Sequence, residues 1–400
     1  SGSWASGNSR GTSASWGDYD NDGYLDLYVS HHVPLDLNDP TATNQDFLFY
    51  NNGDETFTDV SHLLTIAPHL LGYGFIGGWT DYDNDGDLDI LLGNDCFFTP
   101  PGNTPLVTAT KLFQNDGGSD PLNWDFSEVS PQMGINDCRN GMGLAVGDFN
   151  RDGFMDYSYT NIGPIVLFEN MDGLGFDDVT NSAGIGGQAT EYWSWGTSFW
   201  DYDNDGWQDL IVSMGPMSVL PNAIPHPNLL FRNNGDGTFN EVGEDMNLND
   251  PRRTRTMVHG DYDNDGDQDM YVVNYGQQTA LMRNDYETGN HYLKIALVGT
   301  QSNRDGIGAK LKIIDNLGGG YEINPYFGLG SATGITRLEI TWPSGTEQVL
   351  ENLAVDQLLT ITEPNNVTLQ VAIKAFLEGP LDGSLMIDAL RAQGLLPTSE

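Results

Sequence analysis

The sequence predicts an all-β protein whose main body is a β-propeller, followed by a smaller β domain. Three observations carry this reading. A nine-residue acidic loop occurs five times, successive loops begin 53–67 residues apart, and each is followed by a similar succession of apolar runs and Asn/Gly turns. A repeat of about 60 residues that offers about four short strands has the size of one propeller blade.

The loop reads Asp-x-Asp-x-Asp-Gly-x-x-Asp, with one Asn substitution. Its copies are DYDNDGYLD, DYDNDGDLD, DFNRDGFMD, DYDNDGWQD and DYDNDGDQD, starting at Asp18, Asp81, Asp148, Asp201 and Asp261. The spacing suits calcium, a hard cation that takes six to eight oxygen ligands. Carboxylates at positions 1, 3 and 5 point inward. Gly at position 6 permits the sharp turn that brings round the position 7 carbonyl and the position 9 carboxylate. The expected ligand sets are Asp18, Asp20, Asp22, Tyr24 and Asp26 in the first loop, and Asp81, Asp83, Asp85, Asp87 and Asp89 in the second. Asp148, Asn150, Asp152, Phe154 and Asp156 form the third, Asp201, Asp203, Asp205, Trp207 and Asp209 the fourth, and Asp261, Asp263, Asp265, Asp267 and Asp269 the fifth. About five Ca²⁺ are therefore expected. The third copy, with Asn150 and a positive Arg151 beside it, is expected to be the weakest.

An EF-hand starts the same way but needs Glu at position 12 and flanking helices. Here position 12 is Val29 and the run LDLYVS is strand-like, which excludes that fold. The remaining alternative is an Asp/Asn turn without an ion, against which stands the mutual repulsion of four crowded carboxylates.

With 57 acidic residues against 16 Lys+Arg, the net charge is −41. Phosphate attraction has the wrong sign for nucleic acid or an anionic membrane surface. No run approaches the ~20 apolar residues of a membrane helix, so no membrane insertion is expected. Hydrophobic residues at 38%, with 9 Trp, are enough for packed cores. The start at Ser1 is read as a processed N-terminus. Weak calcium loops work where calcium is plentiful, which favours a secreted, extracellular setting. Cys96 and Cys138 are either one disulfide or two buried thiols, and sequence leaves both open.

Each loop is preceded by a small or aromatic run (SASWG, GGWT, GLAVG, TSFW, MVHG) and followed by an apolar one such as LDILLG or QDLIVS. Hairpin signals follow in FLFYNNGDETFTDV, KLFQNDGG…WDFSEV, VLFENMDGLGFDDV and LLFRNNGDGTFNEV. This unit resembles the FG-GAP/VCBS repeat of integrin-α-type propellers and of many secreted bacterial proteins. The stretches GNHYLKI (289–295), SNRDGIGAKLKI (302–313), YFGLGSA (326–332) and LEITWPSGTEQVLENL (338–353) resemble the ASPIC/UnbV domain, which follows such repeats in the cartilage-acidic-protein-like family.

The resemblance implies a propeller over residues 1–288 and a small β-sandwich-like domain over 289–364, shortened between Ile313 and Phe327. Residues 365–400 read as a strand-helix tail. Integrin-type propellers usually close with seven blades, so five repeats imply a five-bladed ring or an incomplete one with open edges.

Catalytic signals are absent. Gly7–Gly11 fits G-x-S-x-G without the strand and helix of a nucleophile elbow. Gly72–Gly77 fits G-x-G-x-x-G but runs into a strand rather than a helix. Trp16, Trp79, Trp193, Trp195, Trp200 and Trp207 cluster around the loops, most of them expected between blades. Trp207 is expected at the surface, where its ring could stack on a sugar or partner. The expected function is a non-enzymatic, calcium-stabilised extracellular adhesion or structural module. Its expected partners are an extracellular protein, a glycan or copies of itself. The alternatives are a self-assembling fibre or layer subunit and a glycan-binding or glycan-processing propeller.

Overall fold

Five antiparallel sheets succeed one another along the first 282 residues of the chain. The first contains β1 (Gly11–Gly17), β2 (Asp26–His31), β3 (Phe47–Asn51) and β4 (Phe57–Asp59). The second contains β5 (Gly74–Thr80), β6 (Asp89–Asn94), β7 (Lys111–Gly117) and β8 (Asp125–Glu128). The third contains β9 (Leu144–Gly147), β10 (Asp156–Tyr159), β11 (Val166–Asn170) and β12 (Phe176–Asp178). The fourth contains β13 (Ser194–Trp200), β14 (Asp209–Met214), β15 (Leu229–Asn233) and β16 (Phe239–Glu241). The fifth has three strands among the described residues, β17 (Thr254–Gly260), β18 (Asp269–Asn274) and β19 (Ala280–Met282), where the repeat predicts four. The computed structural model describes residues 11–32, 46–64, 73–96, 109–139, 141–188, 193–216, 226–249, 251–318, 320–322 and 325–364. The expected tail at 365–400 lies outside these residues.

Within each sheet the strands run in chain order, and the first strands of successive sheets lie side by side. Every acidic loop is the hairpin connection between a first and a second strand. The residue before it pairs in the ladder with its position 9 residue, as in Gly17↔Asp26 and Trp200↔Asp209. Period-two alternation places one set of side chains on the preceding sheet and the other on the following one. Four apolar cores result, one at each junction from first to fifth sheet. They are built from equivalent positions. The loop's position 2 aromatic (Tyr19, Tyr82, Phe149) packs on the fourth-strand Phe of the next sheet (Phe126, Phe176, Phe239), with ring centroids 5.7–6.1 Å apart.

In each repeat from the second onward, one asparagine joins its sheet to the preceding one. The amide of Asn115, at the end of the third strand, donates to Tyr19 O of the preceding sheet at 2.8 Å and to Leu88 O of its own. Asn170 reaches Tyr82 O and Met155 O in the same way, and Asn233 reaches Phe149 O and Gln208 O. Asn284 reaches Tyr202 O at 2.7 Å.

After the fifth sheet, β20 (His291–Val298), β23 (Tyr326–Gly330) and β26 (Gln357–Thr362) form one small sheet, with β20 parallel to β26. A second contains β21 (Lys310–Asp315), β22 (Gly320–Glu322), β24 (Ile335–Thr341) and β25 (Glu347–Leu353). A core around the fully buried Trp342 fills the space between them. β22 is a three-residue edge strand. A disulfide joins Cys96, just after β6, to Cys138 in the approach to β9, resolving the alternative that sequence left open.

Replacing Asn233 with Ala strips the donor from two carbonyls at a sheet junction and is expected to cost about 1–3 kcal/mol, read from urea unfolding. Asn51→Ala should cost less, because the Asn51 amide reaches only Leu25 O within its own sheet.

Candidate metal centres

The five loops share one backbone design. Position 4 is left-handed in each, at Asn21, Asn84, Arg151, Asn204 and Asn264, with φ between 56° and 62°. The Gly at position 6 follows with φ of 89–104°, a region costly for a side chain, so the turn requires it. The position 1 carboxylate accepts from backbone N–H groups inside the turn: Asp18 takes those of Asp22 and Gly23 at 3.0 Å, and Asp201 those of Asp205 and Gly206. At position 5 the carboxylate accepts from the position 7 N–H, as Asp22 does from Tyr24 and Asp205 from Trp207.

Carboxylate oxygens converge within 4.8 Å of one another in four loops: Asp18, Asp20 and Asp22; Asp81, Asp83 and Asp85; Asp201, Asp203 and Asp209; and Asp261, Asp263 and Asp265. Such all-oxygen sets can hold a hard cation. Three buried oxygens, Asp20 Oδ1, Asp81 Oδ1 and Asp267 Oδ1, have no hydrogen-bond partner, which fits a role as metal ligands. In the third loop the Asn150 amide donates to Asp152 Oδ2 at 2.9 Å and Glu169 Oε1 at 3.1 Å, so an internal donor supplies part of what a cation would.

Position 9 has a second role that the motif alone did not reveal. In all five loops this Asp clamps two backbone N–H groups. One oxygen accepts from the position 2 residue (Tyr19, Tyr82, Phe149, Tyr202, Tyr262) at 3.0–3.2 Å. The other accepts from the third-strand Asn (Asn51, Asn115, Asn170, Asn233, Asn284) at 2.8 Å. In the second to fifth loops the same Asn carries the inter-sheet amide bond, so loop and sheet junction form one hydrogen-bonded unit.

Position 4 also reaches across a junction. Asn21 donates to Gly86 O of the next loop, Asn84 to Gly153 O at 2.8 Å and Asn204 to Gly266 O at 3.0 Å. Arg151 breaks the series: its guanidinium stacks on the Trp207 ring at 3.7 Å, and its charge favours ionised Asp201 next door. Trp207 is consequently half-buried between Arg151 and Gly235 rather than presented to solvent. Trp16, expected in the core with most of the others, is exposed.

The C-terminal β domain covers part of this loop face. Lys294 Nζ bonds Asp261 Oδ2, and Lys310 Nζ bonds Asp81 Oδ2 at 2.6 Å. Tyr326 Oη donates to Gly266 O, and the Gly330 N–H to Asn204 O at 2.8 Å. A Cβ on Gly328 would overlap the Asp201 carboxylate, so only glycine allows this approach.

The structure also brings Ser198 to His259 and Gln268, some 60 residues further along the chain. Ser198 Oγ lies 2.9 Å from His259 Nε2, and His259 Nδ1 lies 2.6 Å from Gln268 Oε1. The hydroxyl also donates to Phe199 O, which competes with giving its proton to the imidazole, and the third member is neutral. The trio ties the fourth sheet to the fifth.

Burial, reinforced by neighbouring carboxylates, pushes several loop aspartates up: Asp18, Asp148 and Asp203 to about 6, Asp20 to about 7, Asp26 to about 8, and Asp89 and Asp156 to about 9. Asp201 and Asp209 are raised well above the usual range for the same reasons. Without a cation, the folded chain therefore holds more protons than the unfolded chain between about pH 4 and 9, and stability falls as pH rises through that window. In chelator, the urea midpoint at about pH 5 is expected to exceed that at about pH 8, and the opposite order would contradict these shifts.

Residues 201–272, spanning the fourth and fifth loops, match the FG-GAP-like repeat family, and residues 299–368 match the ASPIC and UnbV family. The chain is 30% identical to cartilage acidic protein 1 of Xenopus tropicalis over 380 residues, covering 86% of this chain and 52% of that protein. It is 28% identical to cartilage acidic protein 1 of Mus musculus, covering 63% of this chain and 40% of that protein. The chain thus spans about half the length, or less, of the curated relatives it matches. Among solved structures, an Agrocybe aegerita lectin that recognises non-reducing terminal N-acetylglucosamine aligns with a TM-score of 0.37 and 16% identity, over 87% of this chain and 81% of that one, too distant to bear on function. The FG-GAP-like repeat, the ASPIC and UnbV segment and the similarity to cartilage acidic protein 1 place this chain among the relatives of that protein.

Proposed function

We propose that this chain is an extracellular, calcium-binding scaffold or adhesion module without catalytic activity, in which bound ions rigidify the succession of sheets. The observation that carries this reading is the shared architecture of loop and junction. The position 9 carboxylate and the position 4 side chain that shape each loop also hold one sheet to the next. A cation among the position 1, 3 and 5 carboxylates would relieve their repulsion and thereby stiffen the junctions.

The disulfide accords with an oxidising, extracellular compartment. Among the described residues, no helix is long and apolar enough to cross a membrane. The partner class is an extracellular protein or glycan, met through the rigid surface rather than through chemistry. The glycan reading loses its chosen residue, since Trp207 is committed to Arg151.

Calorimetric titration of metal-stripped protein should show up to about five calcium-binding events, with Kd of about 10⁻⁴–10⁻³ M if the loops behave as extracellular modules do. At a hundredfold excess over Kd, each site adds about 2.7 kcal/mol to stability. Asp203→Asn should remove one event and leave the third loop unaffected. Absence of calcium heat at millimolar concentration, with an unchanged melting temperature in chelator, would refute the proposal.

A further inference from the structure

The residue immediately before each third-strand asparagine reaches back to its own loop. In the second to fifth repeats that asparagine bonds the preceding sheet, so period-two alternation turns the residue before it the other way. Tyr50 Oη donates to Asp22 Oδ2 at 3.1 Å, and Gln114 Nε2 donates to Asp83 Oδ2 at 3.2 Å. Glu169 Oε1 accepts from the Asn150 amide at 3.1 Å. Arg232 Nη2 lies 3.0 Å from Asp203 Oδ2 and 3.3 Å from Asp205 Oδ2, and Arg283 Nη1 lies 3.9 Å from Asp263 Oδ2. Each therefore meets loop position 3 or position 5. The residue is nevertheless neutral in two repeats, anionic in one and cationic in two.

These charges change the balance of each loop. The first loop has four carboxylates and a neutral Tyr50. The third, with Asn150 at position 3, has three, and Glu169 brings the count back to four. The second has a fifth carboxylate at Asp87 but also Lys310 on Asp81, so four net negative charges remain. In the fourth loop Arg232 lies on two of four aspartates, and in the fifth Arg283 and Lys294 face five, which leaves three net charges in each. Arg151 places further positive charge beside Asp201.

The affinity of an all-oxygen calcium loop follows the number of charged ligands it offers. A guanidinium on those oxygens repels the ion, and it must give them up before the ion can take them. We propose that the residue before the third-strand asparagine sets the calcium affinity of its loop. Glu169 is the carboxylate that restores the third site, and Arg232 is a resident counter-cation that weakens the fourth. This rests on the calcium reading proposed above and reverses the ranking expected from the motif. The third loop stands with the first, and the fourth is the weak one. Had Arg232 only a shaping role, its removal would loosen the fourth loop and lower affinity, the opposite sign.

Hydrogen exchange, followed loop by loop through a calcium titration of the full chain, gives a midpoint for each site. In the parent, the midpoint at 201–209 should lie above those at 18–26 and 148–156. Arg232→Gln, which installs the residue type of the second repeat, should lower the 201–209 midpoint about tenfold, whereas Arg232→Lys should keep it near the parent value. Glu169→Gln, close in shape, should raise the 148–156 midpoint by a similar factor. The 18–26 midpoint should stay fixed in every variant. An Arg232→Gln midpoint that is unchanged or higher, an unchanged Glu169→Gln midpoint, or a third loop that ignores calcium in the parent would overturn the proposal while leaving the calcium reading intact. Absence of calcium-dependent protection in every loop of the parent would refute that reading, and the proposal with it.

Discussion

The structure depends on the crowding of carboxylates at each sheet junction. Every junction concentrates aspartates in a partly buried turn, where desolvation and mutual repulsion both penalise the ionised state. Backbone N–H groups offset part of that penalty, and the turn is wound to aim them at positions 1, 5 and 9. What they leave unsatisfied calls for a counter-charge. In four loops the geometry leaves convergent oxygens for one.

Loop electrostatics and sheet packing are therefore inseparable. The aspartate at position 9 holds the backbone of the third-strand asparagine, whose amide holds the preceding sheet. Position 4 side chains reach the following loop. Disturbance of one loop is transmitted to two junctions through short, named bonds. The C-terminal domain adds to this scheme by laying two lysines and a glycine-lined edge on the same loop face.

Much of this was legible in the sequence. The nine-residue motif identifies the loops, and their spacing with the alternating runs between them yields the sheets. The residues brought together, at positions 1, 3 and 5 in three loops and at 1, 3 and 9 in the fourth, follow from the turn that Gly imposes. Less legible were functions that depend on a neighbour 60 or more residues away. Asn at position 4 reads as a turn former, and only the packed sheets show it to be a cross-junction donor. The stacking of Arg151 on Trp207 was not legible either, because sequence does not show which way a long side chain leaves a left-handed residue. Trp207 looked available because position 7 faces outward in an isolated loop, whereas here the neighbouring arginine covers it. The Ser198–His259–Gln268 contact had no local signal at all.

The central claim is that cation binding in the loops and cohesion between sheets are one event. Hydrogen exchange measured peptide by peptide, with and without calcium, tests it most directly. The account predicts that calcium slows exchange in the loops at 81–89 and 201–209 and, to a comparable degree, at the Asn-bearing strand ends around Asn115, Asn170, Asn233 and Asn284. Protection confined to the loops, with exchange at those strand ends unchanged, would contradict it.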